Sequence, residues 1–271
     1  MAEKIWFVTG ASKGFGRIWS EAALKRGDKV AATARRIDDV AGLADAYGDA
    51  VLPLALDVTD RAAVFAAIGQ AHERFGRLDV VVNNAGYGLF GTIEEVSEAD
   101  ARAQIETNLF GALWVLQAAL PIMREQRGGH LISTSSIGGV TAFPNVGLYH
   151  ASKWGLEAIN QSLAQEVAAF GIKVTLIEPA GYTTDWSGPS AKRSDEMAAY
   201  DPIRQQRTES AKSRTKGDPY ATADAVLQIV DAEQPPLRFL LGSDGLPIIR
   251  KDYDSRLAVW DGWNAVSSAA Q

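Results

Sequence analysis

Tyr149 and Lys153 stand four residues apart at the start of Leu148–Phe170, a stretch whose apolar spacing predicts a helix. Residues i and i+4 share a helical face, so a phenol and an ammonium would sit one turn apart. A nearby cation favours the phenolate and draws a tyrosine pKa down from its usual value of about 10. Such a phenol can exchange a proton with the oxygen of a carbonyl/alcohol pair near neutral pH. With seven tyrosines in the chain, this spacing also arises by chance.

A second signal is Thr9-Gly10-Ala11-Ser12-Lys13-Gly14-Phe15-Gly16, between the apolar run Ile5–Thr9 and a helical pattern over Gly14–Arg26. Glycines allow a tight turn and a close helix, whose free N–H groups then face a pyrophosphate. The spacing Gly-x-x-x-Gly-x-Gly differs from the commoner dinucleotide fingerprint, and alone it also fits a glycine turn with no ligand. Its place after the first strand favours the ligand. An acidic residue ending the second strand would hold a ribose 2′-hydroxyl. Here that strand runs Ala31-Ala32-Thr33-Ala34-Arg35-Arg36, with no carboxylate before Asp38. Two guanidiniums suit a 2′-phosphate, and Lys13 adds charge, so the residues favour NADP(H) over NAD. Surface arginines at a solvated helix start are the plainer alternative.

The elements that must position these groups alternate in type. Strands are expected at Ile5–Thr9, Val30–Thr33, Val51–Leu56, Asp79–Val82, His130–Thr134, Lys173–Ile177 and Arg238–Leu241. Helices are expected at Gly14–Arg26, Arg61–Phe75, Ala99–Arg127 (with Pro121 as a kink point) and Leu148–Phe170. Such alternation argues for a Rossmann-type, doubly wound parallel α/β sheet of about seven strands in one domain over residues 1–271. Asp185–Pro219, rich in Ser, Lys, Arg and Asp, breaks the rhythm and reads as a substrate lid. The 271 residues carry a net charge of −6, which disfavours nucleic-acid binding. They contain no cysteine, which excludes disulfides and thiolate-held metals. No stretch approaches the ~20 apolar residues of a membrane span, so a cytoplasmic protein is expected.

The chain resembles the short-chain dehydrogenase/reductase family, in the family's order, over most of its length. The glycine turn is followed by Asp57-Val58, Asn83-Asn84-Ala85-Gly86, Asn108 within Glu106-Thr107-Asn108, and Ser133-Thr134-Ser135-Ser136. Ser136 lies thirteen residues before Tyr149, the family's spacing for its serine. The resemblance implies a catalytic tetrad of Asn108, Ser136, Tyr149 and Lys153. Tyr149 would exchange the proton and Ser136 would steady the developing alkoxide. Lys153 would hold the nicotinamide ribose and favour the tyrosinate, and Asn108 would hold a water of a proton relay. The cofactor would supply the hydride. It also implies cofactor contacts at Gly10, Ser12, Lys13, Gly14, Phe15, Gly16, Arg35, Arg36, Asp57, Val58, Asn84, Ala85, Gly86, Pro179, Gly181 and Thr184, besides Tyr149 and Lys153. NADP-preferring members carry a basic residue at the place of Arg35. The chain departs from the family's Pro-Gly at Pro179-Ala180, with Gly181 following.

Other residues take lesser roles. Ser135 should point away from Ser136 by strand alternation. His150 is expected to face away from the pocket, towards solvent or an interface. With three histidines and no carboxylate cluster around them, no metal site is expected. Glu94-Glu95, with Glu98 and Asp100, reads as a solvated loop and helix start, and Trp260 and Trp263 as packing residues. Pocket candidates at strand ends are Gly86–Phe90, Ile137–Phe143 and Tyr182–Trp186, mostly apolar. The expected activity is NADPH-dependent reduction of a hydrophobic ketone or aldehyde. NADP+-dependent oxidation of a secondary alcohol or hydroxysteroid, and a non-catalytic dinucleotide sensor, are the alternatives. The two long helices resemble the family's dimerisation helices, so a homodimer or homotetramer is expected.

Overall fold

The seven strands are short, β-branched and bounded by turns, and each half-turn of pleat sends alternate side chains to opposite faces. A computed structural model describes residues 3–212 and 215–271. Its main sheet uses β1 (Ile5–Val8), β2 (Lys29–Ala34), β3 (Val51–Ala55), β4 (Val80–Asn83), β6 (Gly129–Thr134), β7 (Ile172–Pro179) and β9 (Arg238–Leu241). All pairs are parallel, in the order β3-β2-β1-β4-β6-β7-β9. The order reverses direction between β1 and β4, and a crevice opens there beyond the strands' carboxyl ends.

Both faces are covered, as a parallel sheet requires. On one face Trp6, Val8, Val30 and Ile132 pack under α1 (Gly14–Lys25), α2 (Asp38–Tyr47) and α8 (Thr222–Asp231). On the other, Phe7, Val81 and Leu131 pack under α3 (Arg61–Phe75), α5 (Gly111–Gln126) and α6 (Gly147–Val167). α3 starts on Asp60, whose carboxylate accepts the Ala63 N–H, and stops at Gly76 with φ +80°.

The long helix expected at Ala99–Arg127 is α4 (Glu98–Ile105), a π-helical turn Glu106–Phe110, and then α5. Its irregularity therefore falls well before Pro121, which the helix passes without ending. Its 29 residues are long and apolar enough to cross a membrane by those two measures alone, a correction to the reading that no stretch approaches that length. Here Val115, Leu116, Ala119 and Met123 face the core instead.

Asp185–Pro219 is more ordered than its composition suggests. It holds β8 (Lys192–Arg193), paired in parallel with β5 (Leu89–Phe90), and α7 (Asp201–Lys212). Glu95 anchors this segment, which corrects its reading as solvated. Its side chain is 1% exposed and accepts from the Met197 N–H and from Arg204 Nη1 at 2.7 and 2.6 Å. These donors, led by the Met197 amide, hold Glu95 down to about 2. The chain ends in α9 (Gly245–Ser268), on which Trp260 and Trp263 are each 66% exposed, so they do not pack within the monomer.

Candidate active site

The strand ends open onto a cavity of about 870 Å³ that runs from the glycine turn to Tyr149 and out beneath Trp186. At the turn, Gly10 and Gly14 adopt φ of +66° and +57°, which favour glycine. A Cβ on Gly16 would fall 2.4 Å from the Gly10 carbonyl oxygen, so helix and turn meet only because it is glycine. Asn84 braces the turn, donating from Nδ2 to the Thr9 and Gly10 carbonyls at 3.1 and 3.0 Å. The Thr9 hydroxyl accepts the Asn84 and Ala85 N–H groups in return.

The first turn of α1 has no side-chain cap and no acidic residue, so its amides remain available to an anion. The space above Gly14 is open. These residues fit a dinucleotide's pyrophosphate. Ser12, Phe15, Asp57, Val58, Ala85, Gly86, Pro179, Gly181 and Thr184 line the same cavity. Asp57 also accepts from the Thr59 amide and hydroxyl, closing its own turn. Gly16 lies beneath the cavity rather than on its wall.

The three basic candidates diverge. Arg35 lines the mouth; Arg36 is exposed and does not. Neither has an ion-pair partner among the described residues. Lys13 also lines the cavity, but it pairs with Asp185, tying the glycine turn to the segment expected to be a lid.

The far end of the cavity is held by α6 and by the loop after β6. Tyr149, 6% exposed, shares the cavity with Ser136. Burial pushes the phenol up to about 12, while a hydrogen bond from Ser136 pulls it down. Lys153 Nζ donates to the Thr134 carbonyl at 2.7 Å and lies 5.9 Å from the centre of the Tyr149 ring. Burial draws the lysine down to about 8, opposed by Glu157. The expected lowering of the tyrosine is thus reversed here, because desolvation of the phenol outweighs the hydrogen bond from Ser136.

Asn108 lies in the π turn, 1% exposed, and not on the cavity wall. Its Oδ1 accepts the Tyr87 N–H at 3.1 Å, and its Nδ2 donates to the Tyr87 carbonyl and the Ser152 hydroxyl. π turns inside helices recur at functional sites because the extra residue re-aims the side chains around it.

His150 is 5% exposed, which corrects its expected solvent or interface role. Phe143 N–H donates to Nε2 at 2.9 Å, so Nδ1 carries the proton and donates to the Gly138 carbonyl at 2.8 Å. The neutral imidazole clasps the loop that follows Ser136, and burial lowers its pKa. Ala180 sits at an ordinary φ, with its N–H on the Leu241 carbonyl, so the lost glycine strains nothing.

An aromatic roof covers the phenol. Trp186 lies 4.9 Å from Tyr149 and 5.2 Å from Phe90, centre to centre. A Cβ on Gly88 would meet the Trp186 ring at 2.8 Å. The sequence named this stretch as pocket wall, but no motif pointed to the stack. Lys192 and Lys216, which also line the cavity, carried no signal at all.

A profile described as short chain dehydrogenase matches residues 4–195. The chain belongs to that family. Oxidoreductase BOA17 of Botryotinia fuckeliana is 40% identical over 98% of this chain and 99% of its own. The 3-ketodihydrosphingosine reductase of Bacteroides thetaiotaomicron is 35% identical, over 89% of each chain. A short-chain dehydrogenase structure from Streptomyces avermitilis is 38% identical, with a TM-score of 0.93 over 100% of this chain and 99% of that one. An alcohol dehydrogenase from Thermococcus sibiricus, complexed with 5-hydroxy-NADP, is 26% identical, with a TM-score of 0.74 over 90% of this chain and 98% of its own. This short-chain dehydrogenase is therefore an oxidoreductase with a dinucleotide-binding fold.

Proposed function

We propose that this short-chain dehydrogenase reduces a hydrophobic ketone or aldehyde with NADPH. The observation that carries the reading is the buried Tyr149 phenol beside Ser136, at the floor of a cavity roofed by Trp186. Reduction needs an acid at the carbonyl oxygen, and a phenol held up to about 12 is fully protonated at neutral pH. The same phenol, deprotonated, would serve the reverse oxidation of an alcohol, so direction follows the cellular ratio of reduced to oxidised cofactor.

When bound, the reduced nicotinamide supplies the hydride. Ser136 orients the carbonyl oxygen by donating a hydrogen bond, and Tyr149 delivers the proton. Lys153, charged and desolvated, offsets the negative charge that forms on the phenol oxygen. Asn108 fixes the Tyr87 backbone beside this pocket. Trp186 and Phe90 exclude water and favour an apolar substrate. The keto-reductase among its relatives supports that substrate class. Arg35 at the mouth supports NADPH over NADH.

The chain is proposed to act as a homo-oligomer in a reducing cytosol. α9 supports a partner copy, since Leu246, Tyr253, Leu257, Trp260 and Trp263 leave an apolar stripe uncovered. The test is a panel of ketones, aldehydes, quinones and steroids, with NADPH consumption followed by absorbance and NADH in parallel. Turnover of apolar ketones with NADPH supports the reading. Turnover confined to anionic acyl-carrier or sugar-nucleotide carbonyls, or equal rates with NADH, overturns it.

A further inference from the structure

Behind the reacting groups lies a cluster that the proposed mechanism does not use. Glu157 on α6 and Glu178 on β7 are 4% and 2% exposed. Arg238 on β9 donates from Nε to Glu157 Oε2 at 2.9 Å, lies 3.5 Å from Glu178 Oε1, and reaches Gln161 with Nη2. Two buried carboxylates share Arg238 as their one direct ion-pair partner, and a desolvated site penalises the second negative charge heavily. Glu157 Oε1, Glu178 Oε1 and the Ser135 hydroxyl also lack a geometric hydrogen-bond partner. One proton between the two carboxyls settles the charge and satisfies orphaned oxygens. Burial raises the pKa of both groups; Glu157 pushes Glu178 up further, while a hydrogen bond to Glu178 draws Glu157 down, so the proton favours Glu178.

The placement gives the cluster a task. Glu157 follows Lys153 by one turn of α6 and favours its charged form. A Cβ on Gly139 would lie 2.5 Å from the Ser135 hydroxyl and 3.3 Å from Glu157 Oε1, so this carboxyl supports the turn that follows Ser136. Glu178 immediately precedes Pro179, on the cavity wall. The charged groups facing the pair are Arg238 from β9 and Lys153 from α6; Ser135 and Gln161 are neutral. An apolar cluster of similar volume would be at least as stable, and nothing in the packing alone calls for ionisable groups here.

We infer that Glu157 and Glu178 share one proton and, as a single negative charge paired with Arg238, position the Ser136 loop and keep Lys153 charged. The inference rests on the reductase reading for its effect on rate, but the shared proton is measurable without it. Infrared spectra of the full chain, labelled with 13C-glutamate, should show a protonated carboxyl at pH 7. Either Glu157→Gln or Glu178→Gln alone removes that band, because Arg238 then matches the one carboxylate that remains. No band in the parent chain, or a band surviving in either variant, overturns the shared proton.

For the positioning role, the Glu157→Gln/Glu178→Gln double variant is assayed with NADPH and the best ketone of the panel. Its kcat should fall about tenfold, and its alkaline limb should move down by about one pH unit as Lys153 loses its counter-charge. A merely structural pair would leave the pH profile where it is, and that result overturns the role. If the double variant does not fold, Glu157→Gln alone still moves the alkaline limb down, because the remaining charge then sits on Glu178 and Glu157 is the carboxyl that holds Lys153 up. A parent chain that reduces nothing in the panel refutes the reductase reading and leaves the infrared result standing.

Discussion

Tyr149 separates chemistry from binding. Tyr149→Phe keeps the ring under Trp186 and removes only the proton, so turnover should drop about 10²- to 10⁴-fold. NADPH affinity, followed by fluorescence titration, should change by less than about threefold, since no charged contact is lost. Unchanged turnover would remove Tyr149 from the mechanism. Arg35 tests cofactor choice. Arg35→Ala should weaken NADPH by about 10- to 100-fold, the worth of charge-assisted hydrogen bonds to a phosphate, and leave NADH nearly unaffected. Equal losses for both cofactors would refute a 2′-phosphate contact. That Ser136, Tyr149 and Lys153 share one cavity was legible in the sequence, because motif order groups them. Their protonation was not: burial raises Tyr149 and keeps His150 neutral, and burial is set by the packing of several elements.

Between elements, the segment after β7 is clamped at both ends. Lys13 pairs with Asp185 at one end, while Arg204 and the Met197 amide reach Glu95 at the other. Glu95 is held down to about 2, below its unfolded value of 4.5. Its contribution is therefore complete above the unfolded value and is lost as pH falls towards about 2. Hydrogen exchange in α7 should accelerate as pH is lowered from 5 to 3, beyond the intrinsic pH effect on exchange. Glu95→Gln should show that faster exchange already at pH 7, and equal protection in variant and parent would refute the clamp. The Trp186 roof belongs to this scale too. Trp186→Ala should raise the KM of an apolar ketone about tenfold or more, the loss of a stacked aromatic contact, with a smaller change for a small polar aldehyde. Composition marked Asp185–Pro219 as an insertion, but β8 is too short to see in sequence and gains its pairing only from β5.

For the whole molecule, α9 is the exposed part. Its apolar stripe repeats at seven-, four- and three-residue steps through Leu246, Tyr253, Leu257 and Trp260, the spacing of one helix face. Trp260→Asp/Trp263→Asp should reduce the molecular mass in light scattering to that of one chain, with the sheet's circular dichroism unchanged. An unaltered mass would place the interface elsewhere, on the surfaces of the π turn before α5 and of α6 that carry Phe110 and Trp154, which are 39% and 38% exposed.

The chain's own order of residues determined the doubly wound sheet, the glycine turn and the Ser136–Tyr149–Lys153 set. These depend on local periodicity, on φ preferences and on spacing within single elements. Only the tertiary structure decided the direction of the Tyr149 shift, the burial of Glu95 and His150, the Trp186 roof and the meeting of Glu157 with Glu178. Desolvation and pairing arise between residues that the chain separates, as with Glu157 and Arg238, brought within 2.9 Å from α6 and β9. Local sequence holds no record of such a distance.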